Sequence, residues 1–302
     1  LGRPIESPGP HRGICGAETI REVELVDQSP LGRTTRSTPA SYVGAWDAIR
    51  RCFARTEMAR RRGFTAGTFS FNSGQGRCPV CEGRGFQHIE MQFLSDVYLR
   101  CPQCDGKRYV PEVLEVTLAG GATVAGVLEM TVSEAEVLFA AEADVRHGLG
   151  YLRSVGLEYL RLGQPVTTLS GGEAQRLKLA GHLAATAAAE AAGGTLFLFD
   201  EPTTGLHFRD TERLLEAIRA LIDRGHSAIV IEHNLDVIAN ADWVVDLGPE
   251  GGDAGGRVVC AGTPEMIMAT AGSHTGQALR RYLDSLAVDR KSTRLNSSHR
   301  IR

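Results

Sequence analysis

Apolar and polar positions along the chain predict an α/β core in its second half. TLFLFDEP at 195–202 is an apolar run of strand length closed by two acids, Asp200 and Glu201, and a proline turn. SAIVIEHN at 227–234 repeats that form and ends at His233, and the spacing between the two runs predicts a helix from about Asp210 to Asp223. Strand, helix and strand in this order predict a parallel sheet, with DWVVDLGPEGG and GRVVCAGTP adding strands up to about residue 262. Earlier, VELVDQ at 23–28 reads as another core strand and residues 37–68 as helical. Within that helical segment, IRRCFARTEMARRR at 49–62 places Ile49, Phe53 and Met58 on one side of an amphipathic helix. Residues 113–128 predict an alternating strand, a Gly-Gly turn and a short continuation; MTVSEAEVLFAAEADV then opens a helix capped by Ser133 with Glu136. The alanine-rich stretch at 184–194 reads as a helix end and a flexible join into the next strand.

Two motif groups add chemistry. Cys78, Cys81, Cys101 and Cys104 form C-x2-C-x19-C-x2-C, the spacing of two thiolate knuckles closing a four-sulfur zinc site. Each pair runs into glycine, CPVCEGRG and CPQCDGKR, where Gly83 and Gly106 can take positive φ. Disulfides or a redox C-x-x-C compete with this reading, but no signal peptide precedes the cysteines and no thioredoxin-like strand and helix frame them. Four thiolates leave no open position, so the metal is structural. Cys15, Cys52 and Cys260 are isolated thiols.

The second group points to phosphate. Ligands of open α/β sheets gather at the carboxyl ends of strands, which places Asp200 to hold Mg²⁺ and Glu201 to polarise an attacking water. In LSGGEAQR at 169–176, Ser170, Gly171 and Gly172 precede a helix whose free N–H groups and positive dipole end suit a phosphate. Ser170 with Glu173 also reads as an ordinary capping box. His233, one α/β crossover beyond the acidic strand end, is placed to sense a γ-phosphate.

These residues spell a family. LSGGEAQR resembles the signature motif of ATP-binding cassette ATPases, FLFDEP the Walker B strand, TTGLH the D-loop and IEHN the switch histidine. Together with VDQSPLGRTTRSTPASYVG, the cysteine blocks and DWVVDLGPEGGDAGG, in order from about 22 to 283, they resemble the C-terminal half of UvrA, the damage-recognition subunit of bacterial nucleotide excision repair. The resemblance implies an α/β ABC-type ATPase core with a helical signature subdomain and a zinc module insertion. It makes Gln28 the Q-loop glutamine, Ser170, Gly171, Gly172 and Gln175 phosphate-contacting signature residues acting in trans, Asp200 the magnesium acid, Glu201 the catalytic base and His233 the switch. It implies ATP, Mg²⁺ and Zn²⁺, damaged double-stranded DNA, UvrB and a homodimer of the full-length protein, in the cytoplasm. The expected organisation is a partial ATP-binding core at 1–36, a helical segment at 37–68, the zinc module at 69–112, a signature-linked region at 113–168, the ATPase core at 169–286 and a non-native tail at 287–302.

The chain departs from the family in one consequential way. No G-x-x-x-x-G-K-[ST] phosphate loop is present; the only Gly-Lys pair, Gly106-Lys107, lies in a cysteine knuckle. The sequence is therefore expected to be a fragment, incomplete as an ATPase alone. The final DRKSTRLNSSHRIR has almost nothing apolar to bury and is set outside the fold. A net charge of −3 gives no global pull toward nucleic acid, so DNA contacts are expected locally, at Arg33, Arg36, Arg77, Arg84, Arg100, Lys107 and Arg108. No apolar stretch approaches the ~20 residues that cross a bilayer. Two alternatives stand beside the repair reading: a UvrA-like paralogue in resistance to DNA-binding antibiotics, and an Hsp40-type zinc chaperone module, which explains only the cysteine repeats.

Overall fold

The structure is a computed structural model, which describes residues 10–29, 31, 36–89, 97–188, 194–248 and 255–298. In chain order its elements are β1 (Glu22–Val26), α1 (Pro39–Tyr42), α2 (Ala45–Ala54), α3 (Glu57–Arg61), β2 (Phe86–Ile89), β3 (Val97–Arg100), α4 (Pro111–Leu114), α5 (Val124–Glu129), α6 (Val132–Leu138), α7 (Ala143–Ser154), α8 (Gly171–Ala188), β4 (Thr195–Asp200), α9 (Phe208–Ile222), β5 (Ser227–Ile231), α10 (Leu235–Ala239), β6 (Val244–Gly248), β7 (Arg257–Gly262), α11 (Pro264–Ala269) and α12 (His274–Ser298). Two compact units divide between Ile229 and Val230.

In the first unit, β1 and β4 pair in parallel, Glu22 opposite Thr195 and Val26 opposite Phe199, and β5 follows β4 in the sheet order. Parallel pairing carries both carboxyl ends to one edge, so Asp27 to Ser29 and Asp200 to Glu201 leave the sheet side by side. Phe197 and Phe199 are buried, whereas Val23 and Leu25 of β1 are exposed. Helix α7 packs against α2, α6, α8 and α9. Its buried Val145, Leu149 and Leu152, spaced four and three residues apart, form the inward stripe of an amphipathic helix. Helix α9 buries Leu214, Ala217, Ile218 and Leu221 on the same period.

The cysteine-bearing segment is rooted on α2. Trp46 meets Phe71 at 5.5 Å and Phe53 meets Phe69 at 5.4 Å between ring centroids, while the Tyr109 hydroxyl donates to the Phe69 carbonyl at 2.8 Å. Entry and exit of the segment are thus tied together over one apolar helix face.

Several local expectations change. The helix expected over 49–62 breaks: α2 ends at Ala54 and α3 restarts at Glu57 under a Thr56 cap, which leaves Met58 exposed rather than in line with Ile49 and Phe53. Residues 113–128 are mostly helical, because Pro111 opens α4 and Thr123 caps α5; a Thr117–Thr123 bridge is all that remains of the expected strand pair. The capping box of α6 is Thr131 with Glu134, two residues before the expected Ser133 and Glu136. Helix α9 begins at Phe208. The join expected near 184–194 is helical to Ala188, and residues 189–193 lie outside the described residues.

In the second unit, β6 and β7 form an antiparallel pair of their own rather than further strands of the parallel sheet. Asp246 of β6 accepts hydrogen bonds from Ser273 and Thr275, each at 2.7 Å, and the Ser273 hydroxyl in turn accepts from the Gly276 N–H, anchoring the start of α12. Helix α12 runs to Ser298, into the stretch expected to lie outside the fold. No helix among the described residues is long and apolar enough to cross a membrane.

Candidate functional site

The four cysteines converge. Their sulfurs lie within 4.8 Å of one another, with Cys78 to Cys101 at 3.9 Å and Cys81 to Cys104 at 3.7 Å, and all four are buried. A tetrahedral ion with bonds of about 2.3 Å sets sulfurs about 3.8 Å apart, so the cluster fits a closed four-thiolate metal site of the zinc type. The knuckles share one backbone form: Glu82 and Gly83 after the first pair, and Asp105 and Gly106 after the second, all take positive φ. The turns aim the Gly85 N–H at Cys81 Sγ, 3.3 Å away. A methyl group at Gly83 would sit 2.0 Å from the Phe71 carbonyl oxygen, so this position has room for glycine alone. The halves are laced together by Cys101 N–H to Gly85 O at 3.1 Å and Cys78 N–H to Arg108 O at 2.8 Å.

Without a cation these thiols differ. Burial raises Cys104 to about 12, with the Cys81 and Cys101 sulfurs pushing the same way against an N–H from Arg108. Burial also raises Cys81. It acts to raise Cys101 as well, but N–H groups of Cys104 and Gln103 and the thiols of Cys104 and Cys81 bring that group down to about 7.

The basic residues expected beside the cysteines separate into classes. Arg36 and Arg84 both pair with Glu82, at 2.7 and 3.3 Å, and Arg77 donates to the Asn72 carbonyl at 2.7 Å. Arg100 and Lys107 are exposed. Arg108 is buried, its guanidinium donating to the Gly163 carbonyl, and so cannot meet a DNA phosphate. Arg33 lies outside the described residues.

The second cluster forms where β1 and β4 end. Gln28 Nε2 donates to the Glu201 carbonyl at 3.4 Å, and the Gly171 Cα packs against Gln28 so closely that an added Cβ would lie 3.2 Å from the Gln28 Cβ. Asp200 and Glu201 are exposed; Glu201 holds a φ of 43° and its carboxylate accepts from the Thr204 hydroxyl at 3.3 Å. Ser170 and Glu173 form the capping box at the start of α8: the Ser170 N–H and Oγ donate to Glu173 Oε2 at 2.8 and 2.9 Å, and Ser170 Oγ accepts from the Glu173 N–H at 3.3 Å. Tyr159 donates to the other Glu173 oxygen at 2.7 Å. Gln175, expected at a phosphate, is 2% exposed and spends its amide N–H groups on the Val26 carbonyl at 2.7 Å and the Asp200 carbonyl at 3.1 Å. One turn on, Lys178 Nζ lies 2.5 Å from Asp27 Oδ1, 3.1 Å from the Asp27 carbonyl and 2.8 Å from Ser29 Oγ. Gly171, Gln175 and Lys178 therefore form one helical stripe along the ends of both strands. His233 is exposed at the start of the second unit, where Glu232 accepts its N–H at 2.9 Å and Asn234 caps α10.

No family model matches the chain, but individual proteins do. It is 52% identical over 279 residues to UvrABC system protein A of Mesorhizobium japonicum, covering 92% of this chain and 28% of that protein. The corresponding values are 51% over 278 residues for the Aquifex aeolicus protein and 52% over 281 residues for that of Thermus thermophilus. The crystal structure of UvrA2 from Deinococcus radiodurans superposes with a TM-score of 0.78 at 48% identity, over 88% of this chain and 32% of that one.

Over nine tenths of its length, the chain is similar to UvrA proteins.

The chain spans about three tenths of the length of the UvrA relatives it matches. The UvrA resemblance had named Gln28, Gly171, Asp200 and Glu201, which lie together in the first unit. It had not singled out Lys178, Asp27, Tyr159 or the inward course of Arg108. Lys178 carried a sequence signal, seven residues after Gly171 on one helix face. The others depend on contacts between residues far apart in the chain.

Proposed function

We propose that this chain supplies the signature helix, acidic strand end and zinc module of a UvrA-type DNA-damage sensor that binds and hydrolyses ATP in nucleotide excision repair. The observation that carries the reading is the meeting of Gln28, Gly171 and Glu201 at the carboxyl ends of parallel β1 and β4, in a chain about half identical to UvrA proteins. Asp200 would hold Mg²⁺, which when bound neutralises charge on the phosphates. Glu201 takes the proton of the attacking water, and Gln28 stands beside it to orient that water. The N-terminus of α8, with Ser170, Gly171 and Gly172, offers N–H groups to the γ-phosphate of a site completed by another cassette. His233 takes the switch role that the UvrA resemblance gives it. The four cysteines hold Zn²⁺ and keep the hairpin of β2 and β3 in shape at the DNA, with Arg100 and Lys107 as exposed cations for the backbone. Damaged duplex, UvrB and a second UvrA copy are the partners of the assembled protein in the cytoplasm.

The sequence has no phosphate loop, so another stretch of polypeptide must provide the phosphate cradle. ATP hydrolysis by the chain alone, and mixed with a separately made P-loop-bearing segment of a UvrA protein, tests this. Turnover in the mixture only, abolished by Glu201→Gln with nucleotide still bound, is the expected result. Near-normal turnover of Glu201→Gln removes Glu201 as the base, and robust hydrolysis by the chain alone removes the need for a second segment.

A further inference from the structure

Arg108 is a buried cation with its backbone in one place and its charge in another. Its N–H donates to Cys104 and its carbonyl accepts from Cys78 at 2.8 Å, so its main chain is fixed by one cysteine of each knuckle. Its side chain leaves the cluster, passes with the guanidinium carbon 5.2 Å from the centroid of the Phe71 ring and donates to the Gly163 carbonyl at 2.7 Å. Only 8% of the residue is exposed, and Nη1 finds no partner among the described residues. Burying a guanidinium costs free energy, and with Nη1 unused the Gly163 bond and the Phe71 contact offset it only in part.

What it holds is closely constrained. The Gly163 N–H donates to the Leu128 carbonyl at 2.7 Å, and a Cβ on Gly163 would lie 2.8 Å from the Leu128 Cβ. The Gly163 residue is thus gripped on one side by α5 and on the other by Arg108, and cannot shift without breaking one of the two bonds. Seven residues later the same strand of chain reaches Ser170, by way of Val166, whose N–H bonds the Ser37 carbonyl at 3.0 Å.

We propose that Arg108 is a positioning residue that couples occupancy of the four-cysteine metal site to the conformation of residues 161–170, the loop leading into the signature helix. The coupling rests on the zinc reading. When the cluster holds its ion, both knuckles are fixed, the Arg108 backbone is fixed with them, and the guanidinium reaches Gly163. When the ion leaves, the knuckles that anchor the Arg108 backbone are free to move, and Gly163 loses one of its two bonds.

The test is hydrogen exchange on the full chain, with zinc content measured on every sample. In the wild type, removing zinc with a chelator should raise exchange in 161–170 by about tenfold, the scale of one lost charge-assisted hydrogen bond, and leave 208–222 unchanged. Arg108→Lys keeps the charge but shortens the reach. Loaded with zinc, it should keep protection at 78–85 and 101–107, show the raised exchange at 161–170 and give no further response there to the chelator. Full zinc with unchanged exchange at 161–170 in Arg108→Lys, or a wild-type loop indifferent to zinc, overturns the coupling. A wild-type chain that binds no zinc overturns the zinc reading and the coupling with it.

Discussion

Lys178 Nζ sits 2.5 Å from the carboxylate of Asp27, and Asp27 and Ser29, both held by that ammonium, are the two neighbours of Gln28. The hydrogen bond from Lys178, joined by that from Ser29, lowers Asp27 to about 2. A depressed carboxyl stabilises the fold above its unfolded pKa, near 3.8, and that contribution is lost as pH falls through about 2. Lys178→Met should return Asp27 toward its ordinary value and cost about 1 kcal/mol, since the carboxylate is a third exposed and solvent screens the pair. A carboxyl titration of Asp27 followed by NMR checks it; an unmoved midpoint in the variant would refute the pairing.

Gln175 links the strand ends from a buried position. Gln175→Met leaves the carbonyls of Val26 and Asp200 without that donor and should destabilise the first unit by about 1–3 kcal/mol. Gln175→Glu should cost more, because a carboxylate would face two carbonyl oxygens. Urea unfolding orders the two variants, and a Glu variant as stable as wild type would contradict the clamp.

Metal uptake by the cysteines should be strongly pH-dependent. Cys81 and Cys104 are raised and carry protons at pH 7, and both must lose them to bind an ion. Affinity should therefore rise with pH through neutrality, with about two or more protons released per zinc. Calorimetry in two buffers of different ionisation heat measures that number; release of fewer than one would mean the thiols are already ionised.

The start of α8 depends on Ser170 and Glu173. Ser170→Ala removes one acceptor for the helix N-terminus and should cost about 1 kcal/mol. Tyr159→Phe frees one oxygen of Glu173 and should raise that carboxyl, which is held below its ordinary value: burial opposes ionisation, and the Ser170 N–H and the Tyr159 hydroxyl outweigh it. Thermal unfolding and a Glu173 titration give the two readings separately; no change in either would dissolve the network.

How far the sequence carried depended on the range of the interaction. The C-x2-C spacing and the strand ending in Asp200 and Glu201 are local patterns, and the structure places both as such patterns demand. The capping serine at 170 is also local, whereas Ser133 lost the same role to Thr131 because two candidate pairs lay two residues apart. Pairing order was not local: nothing in DWVVDLG distinguishes a fourth parallel strand from one half of the hairpin it forms with β7. Arg108 was the least legible, since its direction follows from Phe71 and Gly163, which are 37 and 55 positions away.

Among the described residues, the non-glycine positions with positive φ are Glu82, Asp105, Arg108 and Glu201. Three belong to the cysteine knuckles and the fourth is the acid at the strand end. For each, the conformation is one glycine adopts without penalty, so the side chain there is kept at a cost in folding free energy of roughly 1 kcal/mol or more. A redesign of this chain for thermal robustness alone would place glycine at Glu201 early, and would thereby remove the carboxylate on which the proposed hydrolysis rests.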